Sequence, residues 1–385
     1  MPQQRIRIAF CIDSFNVGGT EMNALRTAEA IDHGRFDLRI LHLQADGPLR
    51  VRYQRLGLEM VHLPIPNLYS QRTMAQGLRM SRILLRWGSE VLHSHDIYSN
   101  IFSAFWARYF GRCKVITSRR WWHATPRRGL PLLNRVSYAL SHRVLANCPS
   151  VAQMLICDEH VRRGKIAVVP NFLEEAAFAE PSAEAIAQQR RDWRVPADAF
   201  VIGCVARLAP VKNHALLLRA AAPLGDSCHV VLIGGGPLQS DLLHLSTSLG
   251  MASRVHFVGE ILARQNLHAF FDVSALCSLS EGFPNSVLEA LAARRAVVAT
   301  AVGGIVDIVD NERTGLLVPS NDLPALTISL RRLQSDVTLR ARLGAAGCRH
   351  VRAHYHQEAV MGALASLYEG LVAGSTAPPA LEPVL

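Results

Sequence analysis

The chain has 385 residues, 49% of them hydrophobic and 19% charged, which excludes a disordered chain and fits two domains of ordinary size. Its eight cysteines are scattered from Cys11 to Cys348 without CxxC spacing, which excludes a zinc ribbon or a dithiol redox motif and predicts reduced thiols. The net charge of +10 is confined to the first half: residues 1–175 hold 24 Lys and Arg against 13 Asp and Glu, residues 176–385 hold 17 against 18, so an acidic partner (nucleic acid, anionic lipid or a phosphorylated substrate) belongs with the N-terminal half unless this is simply a basic surface.

In chain order, the opening MPQQRIRIAFCIDSF carries Arg7 and Asp13 around a short apolar stretch, which reads as a first strand over Ile6–Ile12 rather than a signal peptide. No apolar run reaches the ~18 residues of a membrane span, and the expected location is the cytoplasm. The loop VGGTE follows, then a helix over Thr20–Ile31. Gly18 and Gly19 let the backbone approach a ligand at that helix start, although the loop lacks a GxGxxG fingerprint and an acidic residue about 20 positions on; a tight turn without a ligand is the alternative. Strands at Leu38–Leu43, Glu90–Ser94, Lys114–Thr117 and Arg143–Ala146 complete the first series.

A linker with a helix spans about Leu173–Val195, and the pattern restarts. Strands are predicted at Ala199–Ala206, His229–Ile233, Val255–Val258, Val273–Cys277 and Val297–Thr300, with a helix over Asn213–Ala222. Strands alternating with helix-length segments imply βαβ units and parallel sheets, hence two doubly wound α/β domains with a cleft between them. The expected division is 1–175, 176–350, a C-terminal helix over 351–372 that packs back toward the N-terminal domain, and a disordered tail over 373–385. In such sheets ligands meet the carboxyl ends of the strands, so functional residues are sought there.

Arg207 ends one strand and Lys212 precedes the next helix. Two cations at a helix N-terminus oppose the macrodipole unless an anion sits there, and a diphosphate fits; a solvated pair of surface cations is the alternative. After the strand Val273–Cys277 comes SLSEGFPNSVLEA. Glu281 lies in the loop, Pro284 and Asn285 suit a helix start, and Glu289 is expected in the first turn, where a carboxylate accepts from the vicinal hydroxyls of a ribose or merely favours the dipole. The turn IGGGPL (Ile233–Leu238) is expected to line the cleft.

Arg207-x4-Lys212, IGGGPL, VHFVGE, EGFPNSVLEA and VGGIVDIVDNERTGLLVP together resemble the retaining glycosyltransferases of family 4, of GT-B architecture. VVPNF, the GGTE loop and HSHD (His93–Asp96) extend the likeness over nearly the whole chain. The resemblance implies two Rossmann-like domains facing each other, and it implies roles. Arg207, Lys212 and Glu281 would be catalytic, the cations holding the donor diphosphate and Glu281 contacting the transferred sugar. Glu289 would bind the ribose, and Gly282, Phe283, Asn285 and Ser286 would touch phosphate or sugar. Gly18 and Gly19 would let the backbone approach the donor. No cofactor and no metal is expected, since cations and helix dipole supply the electrostatics. The donor would be a UDP- or GDP-sugar and the acceptor a glycan or a lipid-linked glycan in bacterial surface polysaccharide synthesis.

One departure concerns VITSRRWWHATPRR. Many relatives carry a His after the strand Lys114–Thr117; here Arg119 takes that place and His123 comes four residues later. Arg119, Arg120, His123 and His95 are therefore candidates for contact with the acceptor or the transferred sugar, and Arg119 for a phosphate. The stretch Arg119–Arg143 mixes Trp121, Trp122 and leucines with arginines, which predicts peripheral contact with an anionic membrane, or else a buried helix with ordinary surface arginines. Two rival readings are a nucleotide-sugar 2-epimerase of similar fold, which would act on the donor without an acceptor, and a non-enzymatic basic protein binding nucleic acid or membrane. No nucleic-acid motif is recognisable, and no nucleic acid is expected as a partner.

Overall fold

The residues Ile8–Ile12 are all sealed from solvent, as a parallel strand covered on both faces requires. They belong to β1 (Ile6–Ile12), the centre of the first of two sheets in the computed structural model, which describes residues 5–122, 129–261 and 266–374. The chain divides into two units: Met1–Asn171 with Glu358–Leu385, and Phe172–Gln357.

In the first unit β1 is joined by β2 (Phe36–His42), β3 (Glu59–His62), β4 (Val91–Ser94), β5 (Lys114–Arg119), β6 (Arg143–Ala146) and β7 (Ile166–Val168). All pairings are parallel, in the order β3-β2-β1-β4-β5-β6-β7. Its helices are α1 (Gly19–Ala30), α2 (Arg50–Arg55), α3 (Gln71–Trp87), α4 (Ile97–Tyr109), α5 (Leu130–Leu140) and α6 (Pro149–Cys157). α3 starts where the Ser70 hydroxyl accepts from Thr73 N–H at 3.1 Å and stops at Gly88, whose φ of 70° suits glycine. Its buried stripe, Thr73, Gly77, Met80, Ser81 and Leu84, has helical spacing.

The second unit repeats the plan with β8 (Phe200–Val205), β9 (Cys228–Ile233), β10 (Val255–Gly259), β11 (Val273–Leu276), β12 (Ala296–Thr300) and β13 (Leu316–Val318), in the order β10-β9-β8-β11-β12-β13. Its helices are α7 (Ala183–Asp192), α8 (His214–Ala221), α9 (Gln239–Ser248), α10 (Asn285–Ala292), α11 (Ile305–Ile308), α12 (Leu323–Ser335) and α13 (Val337–Tyr355). A core of Ile202, Val230, Val298, Leu217 and Leu330 fills the space between sheet and helices. α14 (Gln357–Val372) follows α13 after the extended residue His356. It belongs to the first unit, where the Tyr368 hydroxyl meets His93 Nδ1 at 2.7 Å and the ring stands edge-on to Phe36.

Strand order reverses between β1 and β4 in one sheet and between β8 and β11 in the other. Both points are where a doubly wound sheet opens a crevice at its carboxyl edge. The short edge strands β3 and β13 are absent from the sequence reading because they are only four and three residues long, and Glu59 is exposed in β3.

Candidate active site

At the β8/β11 reversal the loop after β8 carries Arg207, which is exposed and whose side chain makes no hydrogen bond or ion pair among the described residues. A tight turn over Pro210–Lys212 then aims Lys212 at Glu281 beyond β11. The two form an ion pair, with Glu281 buried and Lys212 half-buried. Ser278 Oγ donates to the same carboxylate oxygen at 2.6 Å, and Leu279 N–H donates to the Val211 carbonyl at 2.8 Å, so the two loops are tied together.

Glycines hold both loops from behind. Gly303 has φ 50°, and a Cβ there would land on the Glu281 carbonyl oxygen, while Gly304 N–H donates to the Gly282 carbonyl at 2.9 Å. In IGGGPL, side chains at Gly234 or Gly236 would strike the carbonyls of Ala206 and Leu208, and Leu208 N–H donates to Gly235 at 2.8 Å. These contacts make the turn a support for the Arg207 loop, a structural part beyond the ligand-lining one expected of it.

α10 begins directly after this loop, with Pro284 at the N-cap and no capping side chain. Val287, Leu288, Ala290, Leu291 and Ala292 are buried, which leaves Asn285, Ser286 and Glu289 as one half-buried polar stripe. Glu289 is the fifth helical residue and not in the first turn, where no acid is found. Phe283 is buried against the edge of Tyr355, and Gly282 is half-buried. Arg207, Lys212, Glu281 and the α10 stripe thus gather at one switch point beside a helix N-terminus, an arrangement suited to a polar anion carrying hydroxyl groups.

At the β1/β4 reversal, Gly18 is extended at φ −151° and Gly19 begins α1. A Cβ on Gly19 would meet nothing within 4 Å, and one on Gly18 only the end of the flexible Glu21 side chain, so neither glycine is required by the chain's own packing. Asp13, just past β1, accepts from the N–H groups of Tyr98 and Ser99 at 3.0 and 2.6 Å, and Asp96 caps the same helix, α4. Burial chiefly raises the Asp13 carboxyl to about 6, against the lowering effect of its bonds to Ser99. His95 is sealed, stacked on His93 with 4.1 Å between centroids, and held well below the usual imidazole range by burial first and by His93 and Arg120 next.

Arg119 and Arg120 point to opposite faces of β5. Arg119 is 2% exposed; its guanidinium lies over Trp121 at 4.4 Å and 3.7 Å from Glu159. That places it among Trp121, Met154 and Glu159, away from His95. Arg120 lies on the His93/His95 face and donates to Asn171 Oδ1 at 3.0 Å. Arg120, Tyr138 and Arg143 are buried as well, while Leu132, Arg135 and Val136 of the same stretch are exposed. His123 lies outside the described residues, as do Arg127 and Arg128.

The sequence profile described as Glycosyltransferase Family 4 matches residues 17–176, and that described as Glycosyl transferases group 1 matches residues 185–350. The chain belongs to the family 4, group 1 glycosyltransferases. It is 30% identical over 280 residues to the D-inositol 3-phosphate glycosyltransferase of Streptomyces avermitilis, covering 69% of this chain and 57% of that protein. It is 31% identical over 211 residues to the lipopolysaccharide core biosynthesis glycosyltransferase LpsD of Rhizobium meliloti, covering 54% and 58%. The match thus spans less than two thirds of either relative. Crystal structures of Anabaena Alr3699/HepE with UDP and with UDP-glucose superpose with TM-scores of 0.85 and 0.83 at 19% identity, covering 95% of this chain and 100% of that one. This likeness gives the glycosyltransferase the two-domain α/β GT-B fold.

Several of its site-proximal residues were not singled out in the sequence: Ser278, Gly303, Asp13, Asn147 and Asn171. Asp13 and Asn147 each follow a strand end directly, a signal that was available. Gly303 acts through a contact formed only when β11 and β12 lie side by side, whereas the Ser278 contact to Glu281 is local to one loop, three residues apart.

Proposed function

We propose that the chain moves a hexosyl group from a nucleotide sugar to a glycan or lipid-linked acceptor, with retention at the anomeric carbon. The supporting observation is the β8/β11 switch point, where unpartnered Arg207, the Lys212–Glu281–Ser278 cluster and the start of α10 converge. A diphosphate there accepts from Arg207 and Lys212 and faces the positive end of α10. The Glu289 carboxylate is set one turn further along to accept from ribose hydroxyls, and Glu281 reaches hydroxyls of the sugar. Arg207 and Lys212 offset the charge that builds on the leaving diphosphate. In the transfer the acceptor oxygen bonds to the anomeric carbon on the leaving-group side. The bond from that carbon to the phosphate oxygen breaks, and the acceptor proton passes to a phosphate oxygen of the departing nucleotide.

UDP is the favoured nucleotide, in line with the HepE complexes. A thermal-shift screen of UDP, GDP and ADP, with and without EDTA, is expected to single out UDP, because a ligand of the native state raises the melting temperature. A response to none of the three contradicts the reading. Conversion of UDP-N-acetylglucosamine to its 2-epimer without acceptor would favour the epimerase instead.

A second reading, membrane contact, is supported by a different surface from the one the sequence pointed to. α3 packs on α4 and α4 on α5. α3 exposes Arg72, Arg79, Arg82 and Arg86 beside Met74, Leu78 and Leu85, and the end of α4 exposes Tyr109 and Phe110. Between residues 60 and 157 the only acids are Glu90, which accepts from Arg7 N–H, and Asp96, which caps α4. Cations and apolar groups without acids suit an anionic lipid surface, at about 1 kcal/mol per arginine. Co-sedimentation with phosphatidylglycerol vesicles at low salt is expected, and its loss in R79E/R82E/R86E; no sedimentation of the wild type sinks this reading.

A further inference from the structure

Three neighbouring strands of the first unit end in buried polar atoms that no group among the described residues satisfies. His95 follows β4, Arg120 follows β5 and Asn147 follows β6, with 1%, 9% and 1% of their surfaces exposed. Both ring nitrogens of His95, Nε of Arg120 and Oδ1 of Asn147 have no hydrogen-bond partner. Buried polar atoms are nearly always paired, so a cluster of orphans on adjacent strand ends marks a place where a polar ligand gains bonds that the chain does not make itself.

The register brings the three together. Arg119 pairs with Ala146, which sets Arg120 opposite Asn147, and Asn147 Nδ2 donates to the Arg120 carbonyl at 3.3 Å. Ser94 pairs with Thr117, which sets His95 level with Ser118, two positions before Arg120 and so on the same face, and Arg120 is close enough to depress the His95 imidazole.

The charge at this place is unbalanced. Of its five guanidinium donors, Arg120 uses only one on Nη1 among the described residues, toward the neutral Asn171. No carboxylate stands within ion-pair distance among the described residues, and the following segment 123–128, HATPRR, contains no acid. Asp96 is the acid that acts on Arg120 from further off, and it is committed to capping α4. Burial lowers Arg120 to about 10, so it remains a cation at neutral pH. A buried cation without a counter-ion is costly, and its Nε–Nη2 edge is the fork that matches an oxyanion.

We propose that Arg120, with His95 and Asn147 beside it, forms an oxyanion site in the first unit that takes a phosphate or carboxylate carried by the acceptor. It rests on the transferase reading for the word acceptor; the anion site itself does not. The guanidinium fork binds the anion, and His95 and Asn147 exchange hydrogen bonds with hydroxyl groups next to it. Arg119, one residue earlier, takes no part, because it is spent on Glu159 and Trp121.

The test titrates inorganic phosphate into the full chain saturated with UDP, so that the nucleotide site is already filled. The wild type is expected to bind phosphate, and R120Q to bind it at least about tenfold more weakly while its UDP affinity stays within about twofold. R120K, which keeps the charge but loses the fork, guards against a folding defect in R120Q and is expected to lose most of the phosphate response. Phosphate binding that is absent in the wild type, or unchanged in both variants, overturns the site. A tenfold loss of UDP affinity in R120K at unchanged melting temperature overturns it as well, by assigning the guanidinium to the donor. If the wild type binds no UDP, the transferase reading fails; a phosphate response that R120Q loses and R207A keeps would still support the anion site.

Discussion

Arg207 and Lys212 carry the same charge in one loop, yet the chain uses them differently: Lys212 is bonded to Glu281, while the Arg207 side chain has no partner among the described residues. Arg207→Ala should therefore leave the unfolding midpoint unchanged and weaken UDP binding about tenfold to a hundredfold, the loss of one charge-assisted contact of ~1.5–3 kcal/mol. Lys212→Met should weaken UDP as well and also destabilise the fold, because it strips a buried carboxylate of its cation. Glu281 keeps the Ser278 hydroxyl and Lys212 is partly solvent-screened, so the cost is set on the order of 1–2 kcal/mol, read from urea midpoints. Asp13 makes a pH-dependent difference. Its folded carboxyl is raised to about 6 from 3.8, so its stabilising contribution is present below about pH 4 and lost as pH rises through 6. Relative to Asp13→Asn, the wild type should thus lose stability between pH 4 and 6; a difference that is flat or rises with pH would contradict the burial argument.

Helices and strands place these residues, and some of that placement was legible. Each motif follows a strand, and parallel α/β sheets bind at those ends, so the Arg207 and Glu281 loops could be found from alternation alone. The division of labour between Arg119 and Arg120 was also available: side chains of a strand alternate, and adjacent arginines at the end of KVITSRR cannot share a face. A strand read only to Thr117 hides it, because β5 runs two residues further, to Arg119. Gly303 was not legible, since its constraint comes from the carbonyl of Glu281, brought near only by β11–β12 pairing. Gly303→Ala should cost about 2–4 kcal/mol and displace the Glu281 loop, through a positive φ and a collision with backbone. An unaltered denaturation midpoint in that variant would mean the loop is not held as described.

Across the whole molecule the charge asymmetry resolves by unit: the first holds 24 Lys and Arg against 14 Asp and Glu, the second 17 against 17. That partition was readable from the sequence; the burial of Arg119, Arg120 and Arg143 was not, because burial depends on helices that arrive from other parts of the chain. Burial also sets the global pH response. His93 and His95 are held well below the usual imidazole range, His142, His214 and His256 near about 4 and His268 near about 3, with desolvation the leading cause in each. A lowered folded value contributes stability that is present above about 6.5 and lost as pH falls toward 4, at ~1.4 kcal/mol per unit for each group. These histidines outnumber the raised carboxyls of Asp13 and Asp96, so the melting temperature should drop steadily from pH 7 to pH 5. The central claim is that the β8/β11 switch point holds the donor nucleotide. It is tested most directly by calorimetric titration of UDP into the wild type, Arg207→Ala and Glu289→Ala. Saturable binding by the wild type, weakened at least about tenfold in both variants at unchanged melting temperature, is the result expected; equal affinity in all three would place the nucleotide elsewhere.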